Sequence, residues 1–201
     1  MNLVQKYYQI QALTLDKLTQ LDGLPSLAFR LYLANVFWMA GNSKWNPFDP
    51  DSSLQPTIEW FGNADWGLGL PFPALLGFLA WAAEYFGALL LVLGLATRWI
   101  SIPLIITMLV AIFSVHIDHG WAAIASSADG EIASRVDAAR SLLQEHGNYD
   151  WLTAKGSFVI LQNGIEFATT YLIMLLSLLF VGGGRYVSAD YYLNNHFKRQ
   201  A

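Results

Sequence analysis

The chain has 201 residues, 55% of them hydrophobic and only 13% charged, a balance too apolar for an ordinary soluble domain and typical of a small polytopic membrane protein. Its formal net charge of −4, with few and scattered Lys and Arg, excludes a nucleic-acid interface. It has no cysteine, which removes thiol–disulfide exchange, c-type haem attachment, iron–sulfur clusters and thiolate zinc sites; a redox role then needs a bound cofactor, a metal on N/O ligands or a partner protein.

In chain order, the opening MNLVQKYYQIQALTLDKLTQLDG lacks the apolar core and small-residue cleavage site of a secretory signal, so the first span is expected to direct insertion. Leu3, Tyr7, Ile10, Leu13 or Thr14, and Lys17 predict an interfacial amphipathic helix. Four segments approach the ~20 apolar residues that cross a bilayer, at about 24–43, 73–95, 99–119 and 159–181. The first is the least apolar and carries Arg30 and Asn35. The second starts after Pro71 and Pro73, which suit a first helical turn. In the third, Pro103 is harmless near the start but lies inside the helix if that begins at Thr97. The fourth runs into Gly182-Gly183-Gly184.

Two long connections separate these spans. Trp45, Phe48, Trp60, Phe61 and Trp66 in the first suit headgroup level; in the second, Ile132, Val136, Ala139, Leu142 and Leu143, closed by Gly147, predict a short amphipathic helix. Lys6, Lys17, Arg98, Arg185, Lys198 and Arg199 fall on one side, and Lys44, Arg135, Arg140 and Lys155 on the other. This imbalance predicts that both termini are cytoplasmic. The expected fold is all-α: a single domain over residues 1–201, forming a four-transmembrane-helix bundle with short amphipathic helices in the N-terminal segment and outer loops.

Within these spans, Arg30, Glu84, His116 and Glu166 stand out, because an ionisable group at the bilayer centre costs roughly 2.5–3.5 kcal/mol or more. Gly77, Ala80, Glu84, Gly87, Leu91 and Gly94 share one helix face, so Glu84 should look into the bundle. Depth along the helices suggests a polar pocket opening outward, with Glu84 or an Arg30–Glu84 ion pair as its floor. Carboxyl and imidazole groups in such a place exchange protons, which suits Glu84, His116 and Glu166 to proton transfer with a quinone. Arg30, Glu84, Trp38 and Trp81 are the candidate quinone pocket. His116 and His119 with Glu166 form an alternative metal set, of N/O type suited to copper; haem held by two histidines is disfavoured because the core offers only His116. Arg30 reads equally well as a structural counter-ion, and the buried charges as a scaffold device.

The stretches LAFRLYLANVFWMAGNSKW, AAEYFGALLLVLGLATRW, ITMLVAIFSVHIDHGW and NGIEFATTYLIMLLSLLFVGGGRYVSAD resemble, in that order, the DoxX family of small four-helix bacterial membrane proteins. The resemblance maps family positions onto Arg30, Lys44, Glu84, Arg98, His116, Glu166, Arg185 and Asp190. The long outer loops and ADWGLGLPFP look more like the longer, HvfX-like subgroup associated with copper-binding peptide maturation. It implies an inner-membrane protein that works with membrane lipid around it and partner proteins of a redox or peptide-maturation system. Two readings follow from it: a quinone-linked oxidoreductase subunit, or a non-catalytic copper-handling accessory.

Overall fold

A computed structural model describes residues 2–18, 21–125 and 130–200, apart from the side chains of Leu13, Thr14 and residues 16–18. The expected apolar stripe of the N-terminal helix therefore lies partly outside the described residues, at Leu13, Thr14 and Lys17. The segment is helical nonetheless, as α1, Leu3–Leu18, with Leu3, Tyr7 and Ile10 exposed. Among the described residues there are no strands, only one isolated antiparallel bridge between Ile124 and Leu161. The chain divides into two compact units, Met1–Thr107 with Tyr171–Ala201, and Met108–Thr170.

In the first unit, α2 (Gly23–Lys44) packs chiefly on α4 (Pro73–Leu93), which also carries the short α3 (Gln55–Gly62). The residues α4 buries are Gly77, Trp81, Glu84, Tyr85, Gly87, Ala88 and Leu91, while Leu75, Leu79, Phe86, Leu89 and Val92 are exposed. Glu84 thus faces inward with the small-residue stripe, beside Trp81, Tyr85 and Leu91, while a second set of large apolar side chains faces out. A soluble helix has the opposite arrangement.

Two helices are long and apolar enough to cross a membrane: Pro73–Leu93 and Thr97–His119, with 39% and 22% of their most apolar windows buried. Those low fractions separate them from the core helices of a soluble protein, which bury most of their surface. The second starts with α5 (Thr97–Ala111) and continues as a π-helical turn, Ile112–His116, and a 3₁₀ turn, Ile117–His119. Because α5 begins at Thr97, Pro103 sits inside it and the Trp99 carbonyl loses its i→i+4 donor.

The other two expected spans are altered. At 22 residues, α2 is long enough, but it combines Arg30, Asn35, Asn42 and Lys44 and is the most polar of the four. The fourth helix, α8, is Glu166–Val181, 16 residues, rather than 159–181. Its first third is lost because residues 160–166 pair by backbone hydrogen bonds with residues 120–125, and Asn163 takes the left-handed conformation at φ 64°. A chain committed to that extended pairing cannot also make i→i+4 bonds.

In the second unit, α6 (Gly130–His146) is the expected loop helix and ends just before Gly147. Val136 is buried and Ile132, Ala139 and Leu143 are half-buried, but Leu142 lies off this stripe and is exposed. A single helical turn, α7 (Tyr149–Thr153), follows. Back in the first unit, α9 (Ala189–Lys198) was not expected from the sequence; Ser188 starts it by accepting a hydrogen bond from the Tyr191 N–H.

The α4–α5 turn is held by two charged side chains. Buried Arg30 donates from Nη1 to the carbonyls of Leu91 (2.8 Å) and Val92 (3.2 Å), and from Nη2 to that of Val187 (2.7 Å). Asp190 accepts from the N–H groups of Ala96 (2.7 Å) and Thr97 (2.9 Å). A cation thus meets the C-terminal carbonyls of α4 and an anion the N-terminal amides of α5, each of the sign the helix end favours. Gly94 lies between them at φ 63°, where an added Cβ would come within 2.5 Å of Arg30 Nη1. Gly94→Ala should therefore cost about 1–3 kcal/mol through backbone strain and displacement of the guanidinium, read as a lower thermal midpoint in detergent.

Candidate functional site

Antiparallel packing of α2 on α4 sets two levels. Arg30 meets the Leu91–Gly94 end of α4, and Gly41 meets Tyr85 so closely that a Cβ there would lie 3.0 Å from the Tyr85 nitrogen. Eleven residues forward along α2 correspond to about nine back along α4. Lys44, the last residue of α2, therefore arrives beside the middle of α4, and its Nζ donates to Glu84 Oε2 at 2.6 Å. The Glu84 side chain is 3% exposed and that of Lys44 21%.

This corrects the expected Arg30–Glu84 pair. The Arg30 guanidinium hydrogen-bonds at the level of Leu91 and Val92, seven to eight residues from Glu84 and thus roughly 10–12 Å along the helix, and its polar contacts are backbone carbonyls. Lys44 was read only as a topology-setting loop charge. What pointed to it was the need of Glu84 for a nearby cation, but choosing between Arg30 and Lys44 required the register of two helices.

The ion pair lies beside a run of aromatic rings. Trp38 and Tyr85 have centroids 5.0 Å apart, Tyr85 and Trp81 5.4 Å, and Trp81 and Trp45 4.5 Å. Trp81 Nε1–H donates to the Trp45 carbonyl at 2.8 Å, which fixes the indole and satisfies the polar atom of a buried ring. The two tryptophans assigned to a quinone slot, Trp38 and Trp81, are thus brought together with Glu84 in one unit, through Tyr85. Arg30 lies in the same unit, at the other level.

In the second unit the side chains of His116 and Glu166 bind the extended pairing, and that of His119 binds back onto the helix end before it. His116 Nδ1–H donates to the Asn163 carbonyl at 2.8 Å and His119 Nδ1–H to that of Val115 at 3.1 Å. A carbonyl only accepts, so both rings carry their proton on Nδ1 and present Nε2. Glu166 Oε2 accepts from Ala123 N–H at 3.0 Å, and Gln162 Nε2 donates to the His119 carbonyl at 3.1 Å. Among the described residues no group of three His, Cys, Asp or Glu side chains gathers as a metal site would require.

The DoxX family model matches residues 26–117. That segment belongs to the DoxX family. It runs from the second turn of α2 to the first residue past the π-helical turn, so it contains Arg30, Lys44, Glu84 and His116 and ends before His119 and Glu166. No curated protein and no solved structure matches the chain. With its DoxX segment and two lipid-length apolar helices that each leave many large apolar side chains exposed, the chain is a membrane protein.

Removing one partner of a buried ion pair is costlier than removing both. Lys44→Met strands the Glu84 carboxylate in apolar surroundings and should destabilise by about 3 kcal/mol, whereas Glu84→Gln leaves a lysine that still reaches solvent and should cost less. The double variant Lys44→Met/Glu84→Gln should recover part of the loss; thermal unfolding of the three proteins in the same detergent measures the order.

Proposed function

We propose that this DoxX-family protein is the membrane subunit of a quinone-linked redox system, with the Lys44–Glu84 pair as the group that exchanges protons with the quinone. The reading rests on one observation: a buried carboxylate–ammonium pair adjoining the aromatic run Trp38–Tyr85–Trp81–Trp45. Flat aromatic faces suit a quinone ring, and the remaining N–H groups of the Lys44 ammonium suit one of its carbonyl oxygens. Reducing a quinone to a quinol adds two electrons and two protons. Lys44 orients the ring and its ammonium passes one proton to the oxygen it holds; water at the partly exposed Lys44 restores that proton, to the amine directly or by way of the Glu84 carboxylate, and supplies the second proton to the other quinone oxygen, while a partner redox protein supplies the two electrons.

In this reading α2, α4, the α5 helix with its π and 3₁₀ turns, and α8 are the four spans of a bundle in a bacterial inner membrane, with both termini cytoplasmic. About 33 Å of α2 and about 24 Å of α8, at 1.5 Å per residue, would cross alongside the two longer apolar helices. Glu166 and His116 then shape the outer loops rather than carry the first proton.

A second reading has one observation in its favour. His116 and His119 each anchor Nδ1 on a carbonyl, the arrangement that orients metal-ligating imidazoles through Nε2. This fits a copper-handling accessory of the HvfX-like kind. The protein in nanodiscs, titrated with a short-chain quinone and followed by tryptophan fluorescence, distinguishes the two. Quinone should quench the signal, with affinity about tenfold weaker in Glu84→Gln, the loss of roughly one charge-assisted hydrogen bond. Unaltered affinity in both Glu84→Gln and Lys44→Met sinks the quinone reading, and stoichiometric copper that disappears in His116→Ala promotes the second.

A further inference from the structure

Where α4 turns into α5 and α8 gives way to α9, the first unit has a cleft of about 710 Å³, lined by Asp22, Arg98, Trp99, Arg185, Asp190 and Tyr191 together with Gly182–Gly184. None of these residues takes part in the quinone reading. Three of the four charges in the lining are already answered. Both Asp190 oxygens accept backbone N–H bonds, and the buried Arg30 is an electrostatic neighbour of Asp190. Asp22 lies 3.4 Å from Arg185.

Arg98 is left over. Its guanidinium makes one long hydrogen bond, 3.4 Å, to the Val181 carbonyl, and among the described residues it has no carboxylate partner. Other donors with spare capacity adjoin it. Among the described residues neither Gly183 nor Gly184 donates its N–H to a backbone carbonyl. Glycine lets that wall pack closely, since a Cβ on Gly183 would lie 2.7 Å from Ser188 Cβ and 2.9 Å from Thr97 Oγ1.

A cation with no carboxylate partner among the described residues, and backbone amides along the Gly182–Gly184 wall of the same cleft, suit a ligand that is anionic and rich in acceptor oxygens. The cleft opens at the ends of membrane-length helices, where Trp99 is 77% exposed and Tyr186 and Tyr192 are exposed nearby in sequence, as interfacial aromatic rings are. We propose that this cleft binds a phosphate group, presented by an anionic phospholipid headgroup at the membrane rim. A lipid held there ties the α4–α5 turn to α9 and sets how deeply that end of the helices sits in the bilayer.

The test uses the full chain in nanodiscs of phosphatidylcholine with and without phosphatidylglycerol, reading retained lipid by native mass spectrometry and stability by thermal unfolding, with inorganic phosphate as a separate arm. Phosphatidylglycerol should be retained over phosphatidylcholine and should raise the thermal midpoint. Arg98→Gln should weaken retention by about tenfold and Arg98→Lys by less, because a lysine keeps the charge and loses the fork. Arg140→Gln, a charge removed elsewhere, should behave as wild type. Midpoints in phosphatidylcholine alone report whether each variant folds. Arg98-dependent stabilisation by inorganic phosphate as well would assign the same site to a free anion. Equal retention of the two lipids with no effect of phosphate, or an Arg98→Gln protein that matches wild type in both arms, overturns the proposal.

Discussion

The register of α2 against α4 is the constraint on which the first unit depends. It is set at one level by the Arg30 guanidinium on the terminal carbonyls of α4 and at the other by Gly41 against the backbone of Tyr85. Between these contacts lie two to three helical turns, so a slip of one turn, about 5.4 Å, would break both. With this register the end of α2 falls short of the start of α4 by about ten residues. A lysine that sequence places in a loop therefore sits beside the middle of an apolar helix.

This stagger explains several features together. The ten or so residues of α4 that extend past Lys44 are covered by α3 and by Trp45, whose carbonyl receives the Trp81 indole N–H. Aromatic residues that composition suggests for a headgroup belt are in part packing against α4: Phe61 is buried and Trp45 stacks on Trp81, while Phe48 and Trp66 remain exposed. The buried pair and its aromatic neighbours follow from the same displacement, since Trp38 and Gly41, three residues apart on α2, meet Tyr85 on α4, and Lys44, three further on, meets Glu84. Buried ion pairs are weak sources of stability, and the desolvation of Glu84 offsets much of the attraction.

Arg30 shows why a charged residue in an apolar helix is not by itself a site. It shares its burial with Glu84, yet its work is on backbone: it donates to the Leu91 and Val92 carbonyls at the end of α4, as Asp190 accepts from the amides at the start of α5. His116 and Glu166 have similar roles in the second unit, where they clasp the pairing of residues 120–125 with 160–166. That pairing also shortens α8. Apolar composition alone extends the helix back to residue 159, because hydropathy does not register a carbonyl already bonded elsewhere.

Sequence alone determined the helical class, the two long apolar helices, the inward face of Glu84, the loop helix before Gly147 and the DoxX resemblance. These are legible because period and composition are local: a stripe at 3.6-residue spacing, or twenty apolar residues, carries its meaning wherever the rest of the chain goes. Only tertiary structure decided that Lys44 rather than Arg30 answers Glu84, that Asp190 and Arg30 hold one turn from opposite sides, and that Arg98 has no carboxylate partner among the described residues. Each of these depends on the relative register of elements separated by tens of residues. Small residues such as Gly41 permit that register, but many offsets satisfy the same pattern until backbones are brought to within van der Waals contact.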